Sequence, residues 1–478
     1  MSTFYVENFG CRATQADGAA IERELLERGL NPADAPDDAQ VVVLNTCTVT
    51  ASADQDVRAA IRRIHRTNPG CRILVTGCYA QRAPQEIAAI PGVSAVVGNS
   101  HKMQVAEIAN SLTAEGAKET KEKHTTTGDT EEPKIYVGDM FAHTELVGAP
   151  VFEAGAKTRP NLKVQDGCNN RCSFCIIPFV RGRSRSLPLD ESVREVQALV
   201  DAGYREVVIS GINLGRWGRD LSQAASSTQL ATSDKQLAAG NEQTAISGRA
   251  QLRFVDLVRA ILERTTLEKL RISSVEPMDW SDELIGLVAN SPRIAQHAHV
   301  PMQSGSDRIL RAMHRKYRPW HYADRIGRIR AAMPTAAIGA DVMVGFPGET
   351  DADFEQTRRM VEELPFTYLH VFSYSSRPGT PSATMPQQVP PPVVKKRNRI
   401  LRELAAEKKL RFMRSFVGRE IEAITLNVYE DGYTEALTDN YLKLRIPGRH
   451  EPNQWARARV ERVDAEGMFV IGDGLVRL

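Results

Sequence analysis

The chain has no apolar run near the ~18 residues that suggest a membrane-spanning helix. Its first residues, MSTFYVENFG, lack the basic-then-apolar layout of a secretory signal. Both absences lead us to expect a cytoplasmic protein with no membrane partner. The chain also lacks an excess of charge of one sign, since 61 basic and 59 acidic residues leave a net charge of +2. It is not collagenous, mucin-like or wholly disordered in composition: 42% of its residues are hydrophobic, 25% are charged, and the mean hydropathy is -0.32. An even cysteine count is missing too. Seven cysteines exclude a fully paired disulfide framework, and clustered thiols in a cytosolic chain point to metal or redox chemistry.

What is present is enough for several domains. The 478 residues are about three times a typical ~150-residue domain. Residues 1–110 alternate strand-like and helix-like segments (STFYVENF, GAAIERELLERG, VVVLN, RILVTG, VSAVVG), which predicts an α/β domain with an open parallel sheet. Residues 111–157 include a stretch almost free of large apolar side chains and read as a linker. A second series, 158–392, offers six strand candidates: NLKVQDG, REVVISG, LRISSVE, AQHAHVP, AIGADVMVGF and YLHVFSYS. Six units are too few for a closed eight-stranded barrel, so an open partial (β/α)6 barrel is expected. It is interrupted at 220–248 by a Ser/Thr/Gln/Ala-rich insertion that cannot bury a core. A basic helical connection, 393–414, then leads to short strands in 415–478 that suggest a small β-barrel.

The strongest motif is DGCNNRCSFC, which sets Cys168, Cys172 and Cys175 in a C-x3-C-x2-C run. Three thiolates on one loop can hold three irons of a four-iron cube and leave the fourth iron open to a ligand. Structural zinc would want a fourth Cys or His nearby, and this triplet has none. Cys11, Cys47 and Cys78 each sit just past the C-terminal end of a predicted parallel strand, where open α/β sheets place their ligands. They should therefore converge on a second site. Cys71 precedes the strand that ends at Cys78, roughly 20 Å away at about 3.3 Å per residue, and should be a bystander. After all six strands of the second series come segments rich in Gly, Pro, Ser or acids (DGCNNRCSFC, SGINLG, SSVEPMD, PMQSGSD, VGFPGET, SSRPGT), all expected on one rim.

On these residues the chain closely resembles the methylthiotransferase family of radical S-adenosylmethionine (SAM) enzymes. The three-cysteine run with Phe174, together with RISSVEP, HVPMQSGSD and VGFPGET, matches that family's core. FGCR, LNTCTVT and VTGCYAQ match its N-terminal domain and are most similar to the branch acting on N6-threonylcarbamoyladenosine (t6A) in tRNA. The tail from about Ser415 resembles a TRAM domain, a small RNA-binding barrel. Thr14, the Asp54-Gln55-Asp56 run and the insertion depart from the family's usual pattern.

The resemblance implies two [4Fe-4S] clusters, one on Cys168, Cys172 and Cys175 and an auxiliary one on Cys11, Cys47 and Cys78. SAM on the first would be cleaved to a 5′-deoxyadenosyl radical, and the auxiliary cluster would hold the sulfur. Phe174, Gly211, Asn213, Ser273, Ser274, Glu276, Gln303, Ser304 and Asp341 are the expected SAM contacts. Implied partners are the tRNA anticodon stem-loop, an electron donor such as flavodoxin or ferredoxin, and a sulfur source. The reaction implied is methylthiolation of C2 of t6A at tRNA position 37. Isopentenyladenosine or a ribosomal protein is the alternative substrate, and a non-catalytic iron-sulfur RNA sensor the alternative class.

Other charged positions complete the expectations. Arg181, Arg183 and Arg185 follow the cluster loop and are candidates for phosphate or carboxylate, with a solvated basic loop as the alternative. His297 and His299 alternate on one predicted strand and read as satisfied core histidines, with a pair facing the barrel lumen as the alternative. The segment Val393–Arg419 carries a charge of +8, so the remainder of the chain sums to −6. Lys395, Lys396, Arg397, Arg399, Arg411 and Arg414 are its expected RNA-backbone contacts.

Overall fold

The structure is a computed structural model that describes residues 2–122, 132–142, 146, 158–221, 251–470 and 476–477. The N-terminal unit runs β1 (Thr3–Asn8), α1 (Arg12–Glu27), β2 (Asn31–Pro32), β3 (Val41–Thr46), α2 (Ala51–Thr67), β4 (Arg72–Gly77), α3 (Cys78–Arg82), α4 (Pro84–Ala88), β5 (Val93–Gly98), α5 (Val105–Glu122) and β6 (Lys134–Tyr136). All six strands are parallel, in the order β2-β1-β3-β4-β5-β6. The central strand β3, VVVLNT, is buried at every position, as a parallel strand covered on both faces must be. On one face α2 lays down Val57, Ala60, Ile61 and Ile64 at helical spacing, with the Thr50 hydroxyl capping its N-terminus through Ala53 N–H. On the other face α1 and α5 bury Ile21, Leu25, Ala106 and Ala109.

The expected linker is in part structured. The helix begun at Val105 runs to Glu122 across the boundary drawn at 110, and Lys134–Tyr136 pairs with β5 as the sheet's edge strand. A three-residue edge strand leaves little trace in composition, which is why the apolar-poor stretch concealed it.

The second unit contains β7 (Asn161–Asp166), α6 (Ile177–Arg181), β8 (Arg185–Ser186), α7 (Leu189–Asp201), β9 (Glu206–Gly211), α8 (Phe254–Arg264), β10 (Lys269–Ile272), α9 (Asp282–Asn290), β11 (His297–His299), α10 (Asp307–Ala312), α11 (Pro319–Ala332), β12 (Ala337–Val344), α12 (Asp351–Glu363) and β13 (Tyr368–Ser373). Its six parallel strands form two sheets, β7-β9-β10 and β11-β12-β13, joined by the parallel bridge Leu270↔Ile294. The two-residue β8 runs antiparallel on the free side of β7. This is the expected open partial barrel. Along β12 the period of two sends Ile338, Ala340, Val342 and Val344 outward into the core shared with the helices, leaving Asp341 to face His299 and His370 in the lumen. Most of the 220–248 insertion lies outside the described residues; its first residue, Asp220, accepts bonds from Ser186 N–H and hydroxyl.

The connection is α13 (Pro391–Arg414), which packs on β13 and α12 and continues into β14 (Glu420–Glu430), β15 (Tyr433–Thr438), β16 (Lys443–Pro447), β17 (Trp455–Arg459), β18 (Arg462–Val463), β19 (Met468–Phe469) and β20 (Val476–Arg477). These make a curled seven-stranded sheet in the order β18-β19-β16-β15-β14-β17-β20. It seats against the N-terminal ends of the barrel strands. Arg271, itself paired with Glu206 in the core, donates to the carbonyls of Asp439 and Thr438, and Trp455 Nε1–H donates to Glu268. The Tyr441 ring reaches the barrel floor, 4.9 Å from His297 and 5.9 Å from Tyr368.

The N-terminal unit lies across the barrel's open side. Asn161 donates to the Arg12 carbonyl at 2.8 Å, and Ala51 N–H donates to the Ser375 hydroxyl at 2.9 Å. Buried Arg377, from the SSRPGT loop, bonds Asp54 at 2.6 Å, and Arg82 shares the same carboxylate at 3.0 Å. Asp54 is thus the anchor of a domain junction.

Candidate functional site

Cys11, Cys47 and Cys78 follow β1, β3 and β4 at neighbouring strand ends. Two glycines make the approach physically possible. Gly10 has φ +107, and a Cβ there would lie 2.8 Å from the Cys47 sulfur; Gly77 has φ +96, and its Cβ would lie 2.5 Å from the Thr46 carbonyl oxygen. Burial pushes the Cys47 thiol up to about 12, and the neighbouring Cys78 and Cys11 thiolates push in the same direction. Cys78 is also raised by burial, against the pull of Arg181. Cys47 and Cys78 in this state resist ionisation unless a cation joins them, and a soft metal centre supplies that charge. Thr14 stands 3.5 Å from the Cys11 sulfur.

The second thiol group lies on the loop after β7. Cys175 N–H donates to the Cys172 carbonyl at 3.1 Å, closing a tight turn. The Cys168 sulfur accepts from Asn170 N–H at 3.3 Å and from the Asn213 amide at 3.5 Å. Burial raises Cys175 to about 12, with Cys172 adding to it. The Cys172 sulfur accepts from Arg315 at 3.4 Å, and Arg315 also pairs with Glu276. Cys71 packs instead among Val42, Ile73 and Val75 at the opposite end of β4 from Cys78.

The remaining cofactor candidates divide. Phe174 meets Phe346 edge-on at 6.4 Å. Gly211 ends β9 beside Gln165, where an added Cβ would lie 2.9 Å from that side chain. Asn213 holds Cys168 through its amide nitrogen, while its oxygen is buried without a partner among the described residues. That orphaned acceptor fits a donor group on a bound ligand. Ser273 and Ser274 are half-buried just past β10, and Glu276 is committed to Arg315. Gln303 has φ +62, a left-handed backbone uncommon for a residue with a side chain.

Two candidates are turned elsewhere. Ser304 is a correction: its hydroxyl is buried against Thr357 and accepts from Ser306 N–H, so it supports the rim loop. Asp341 projects into the lumen, with His299 Nε2 at 3.2 Å and His370 Nδ1 at 3.3 Å. Burial raises its carboxyl, but the two imidazoles outweigh this and hold it below the usual range. His297 is buried and bonds Tyr368 OH at 2.7 Å; burial lowers its pKa well below the usual value, with Arg271 adding to the effect.

Among the arginines, Arg181 is buried and contacts carboxylates, bonding Asp166 at 3.0 Å and Asp17 at 3.0 Å. Its Nε donates to the Cys78 sulfur at 3.2 Å. Arg185 is buried as well, and Arg183 is exposed. On α13, Lys395, Lys396 and Arg399 are exposed and line a groove of about 1360 Å³ with Ser52 and Phe372. Arg411 pairs with Glu407, and Arg414 is exposed. Arg397 is a correction: it is buried against Glu349 and Asp351 and locks α13 to the barrel. Charge counting along the sequence cannot separate it from its neighbours, because only the helix's packed face decides which cations are consumed. Arg315 went unnoticed for the same reason, lying in a basic run, HRKYR, without a motif of its own.

An N-terminal cysteine-bearing α/β unit beside a partial barrel with a three-cysteine loop defines a radical SAM enzyme. Residues 162–361 match the Radical SAM superfamily, and residues 3–98 match the uncharacterized protein family UPF0004. The chain is 34% identical to the threonylcarbamoyladenosine tRNA methylthiotransferase MtaB of Bacillus subtilis, over 94% of this chain and 92% of that protein. It is 32% identical to the Aquifex aeolicus protein of the same name, over 95% and 99%. It is also 32% identical to the tRNA-2-methylthio-N(6)-dimethylallyladenosine synthase of Novosphingobium aromaticivorans, over 88% and 86%. In fold it is similar to the radical SAM methyltransferase TsrM of Kitasatospora setae, with TM-score 0.52 at 16% identity over 80% of this chain and 75% of that one. The chain belongs to the methylthiotransferase family of radical SAM enzymes, whose cofactors are SAM and [4Fe-4S] clusters. No helix among the described residues is long and apolar enough to cross a membrane.

Proposed function

We propose that this enzyme methylthiolates C2 of N6-threonylcarbamoyladenosine beside the tRNA anticodon, giving 2-methylthio-N6-threonylcarbamoyladenosine. The observation that carries the reading is the set of relatives bearing that name at 30–34% identity over 92–98% of this chain. Cys168, Cys172 and Cys175 would ligate the SAM-binding cluster, and Cys11, Cys47 and Cys78 the auxiliary one. When bound, SAM on its cluster supplies radical chemistry able to break an aromatic C–H bond that offers no acidic proton.

The chain's own residues do the rest. Asn213 and Arg315 steady two thiolates of the first loop, while Phe174 against Phe346 walls its side. Gly211 keeps the strand end low enough for a ligand to approach the loop. The orphaned Asn213 oxygen would accept from the SAM amino group. Exposed Lys395, Lys396, Arg399 and Arg414 would meet tRNA phosphates, placing the anticodon stem-loop over the groove. A flavodoxin or ferredoxin as electron donor and a separate sulfur source complete the partners. The seven-stranded C-terminal sheet would act as the RNA-binding, TRAM-like domain.

The test is mass spectrometry of tRNA nucleosides from cells lacking the gene and any paralogue. Loss of the methylthio form of threonylcarbamoyladenosine is expected. Its persistence, or loss of the methylthio form of isopentenyladenosine instead, refutes the substrate. For the ligand set, Cys71→Ala should retain full iron and Cys78→Ala should lose about half of the roughly eight irons that two four-iron clusters contain.

A further inference from the structure

Arg181 occupies an unusual position. It ends α6, six residues after Cys175, and is buried to 1% exposure. From there it crosses into the N-terminal unit and gives its Nε–H to the Cys78 sulfur at 3.2 Å. One short segment thus carries three thiols of one group and a cationic donor to the other. Asn99 supplies a second N–H to the same sulfur at 3.5 Å, and the same amide also donates to the Val180 carbonyl at 2.8 Å.

The charges around Arg181 do not balance without a further anion. Among the described residues, Lys102, Lys163 and Arg181 share only two carboxylates, Asp17 and Asp166. Three cations against two anions leave one positive charge over among the described residues. An arginine does not escape by losing its proton. A buried surplus of positive charge is stable only beside a compensating anion, and the group that Arg181 meets on the N-terminal side is the Cys78 sulfur.

We propose that Arg181 is a positioning residue for the auxiliary cluster that also raises its reduction potential through the N–H···S bond to Cys78. Hydrogen bonds to cluster sulfurs and nearby positive charge both favour the more negative, reduced state. The inference rests on Cys11, Cys47 and Cys78 ligating that cluster. If that assignment fails, Cys78→Ala keeps all its iron, whereas the role of Arg181 is read in proteins with full iron.

The experiment is an anaerobic, EPR-monitored redox titration of the enzyme with both clusters loaded. SAM addition identifies the signal of the SAM-binding cluster, and the signal it leaves unchanged is followed. In Arg181→Gln the reduced-to-oxidised ratio of that signal, at fixed potential, should fall about tenfold, equal to 59 mV for a one-electron couple, with the other signal unmoved. Arg181→Lys keeps the charge without the Nε–H and should fall between. Asn99→Ala removes the weaker bond and should shift the same way by less, which covers the case in which Arg181→Gln loses iron. An unchanged potential in iron-replete Arg181→Gln, equal shifts in both clusters, or wild-type potentials in both Arg181→Lys and Asn99→Ala would overturn the proposal.

Discussion

Replacing Asp54 with alanine tests the junction between the N-terminal unit and the barrel. The Asp54 carboxylate is 4% exposed and accepts from Arg377 at 2.6 Å, Arg82 at 3.0 Å and the Thr48 hydroxyl at 2.7 Å. Arg377 comes from the rim loop after β13 and is also 4% exposed, so alanine strands a buried cation at the interface. Removing one partner of a buried pair costs about 3–5 kcal/mol, mostly from the uncompensated charge left behind. At 1.4 kcal/mol per tenfold, that weakens docking by roughly two to three and a half powers of ten. Contacts elsewhere, such as Arg181 to Asp17 and Ala51 to Ser375, keep the units attached. The thiols of the two units should nevertheless lose their relative registration.

The assay follows two products at once. On the proposed function, SAM cleavage to 5′-deoxyadenosine would need only the barrel, whereas methylthiolation would need both units in place. In Asp54→Ala the methylthiolated nucleoside formed per 5′-deoxyadenosine should fall at least about tenfold, a loss of ~1.4 kcal/mol of alignment. Arg377→Ala should do the same. The double variant should be better than the sum of the singles by about 0.5–3 kcal/mol, because it no longer buries an unpaired charge. An unchanged product ratio in Asp54→Ala, or strict additivity in the double variant, refutes the reasoning.

Three further outcomes are expected. Gly77→Ala forces a side chain onto φ +96 and against the Thr46 carbonyl; at about 1–3 kcal/mol each for strain and overpacking, urea unfolding should show the loss, and iron should fall toward one cluster per chain. Buried His297 keeps its pKa depressed, so the unfolded chain takes up a proton first as pH falls below about 6.5. Stability contributed by this group is therefore full above that pH and is lost below it, by at most about 1.4 kcal/mol per pH unit; denaturation at pH 7.5 and 5.5 should show that His297→Gln removes part of this acid sensitivity. Lys395→Ala, Lys396→Ala and Arg399→Ala should each weaken RNA binding and reduce the salt slope by about 1, whereas Arg397→Ala should lower thermal stability instead; a salt-slope effect from Arg397 with unchanged stability contradicts its buried placement.

The strands were legible because their patterns are local. VVVLN, RILVTG and VSAVVG have the continuous apolar character of parallel strands, and six rim segments punctuated by Gly, Pro and Ser follow six strands of the barrel. The edge strand Lys134–Tyr136 was not legible, since three residues carry too little pattern to stand out from a polar stretch. The cysteines were placed by a rule of topology, that ligands gather at the C-terminal ends of parallel strands, and both groups of three lie at such ends. Ser304 misled because its hydroxyl is a good ligand in the abstract, and only packing against Thr357 shows it already used.

The sequence by itself determined the alternation of elements and the placing of two groups of three cysteines at strand ends, because spacing and periodicity along the chain encode them, and it pointed to the family through motifs resembling that family's. Tertiary structure alone decided which charges are available. Arg181, Arg315, Arg377 and Arg397 are all basic letters in basic or polar stretches. Folding sends the first two to the sulfurs of Cys78 and Cys172, and the others to carboxylates from distant segments. The near-zero net charge is thus built partly from arginines spent inside the protein. Their carboxylate partners lie as many as 323 residues away in the chain, and pairing over such separations is fixed by the fold and leaves no local signature.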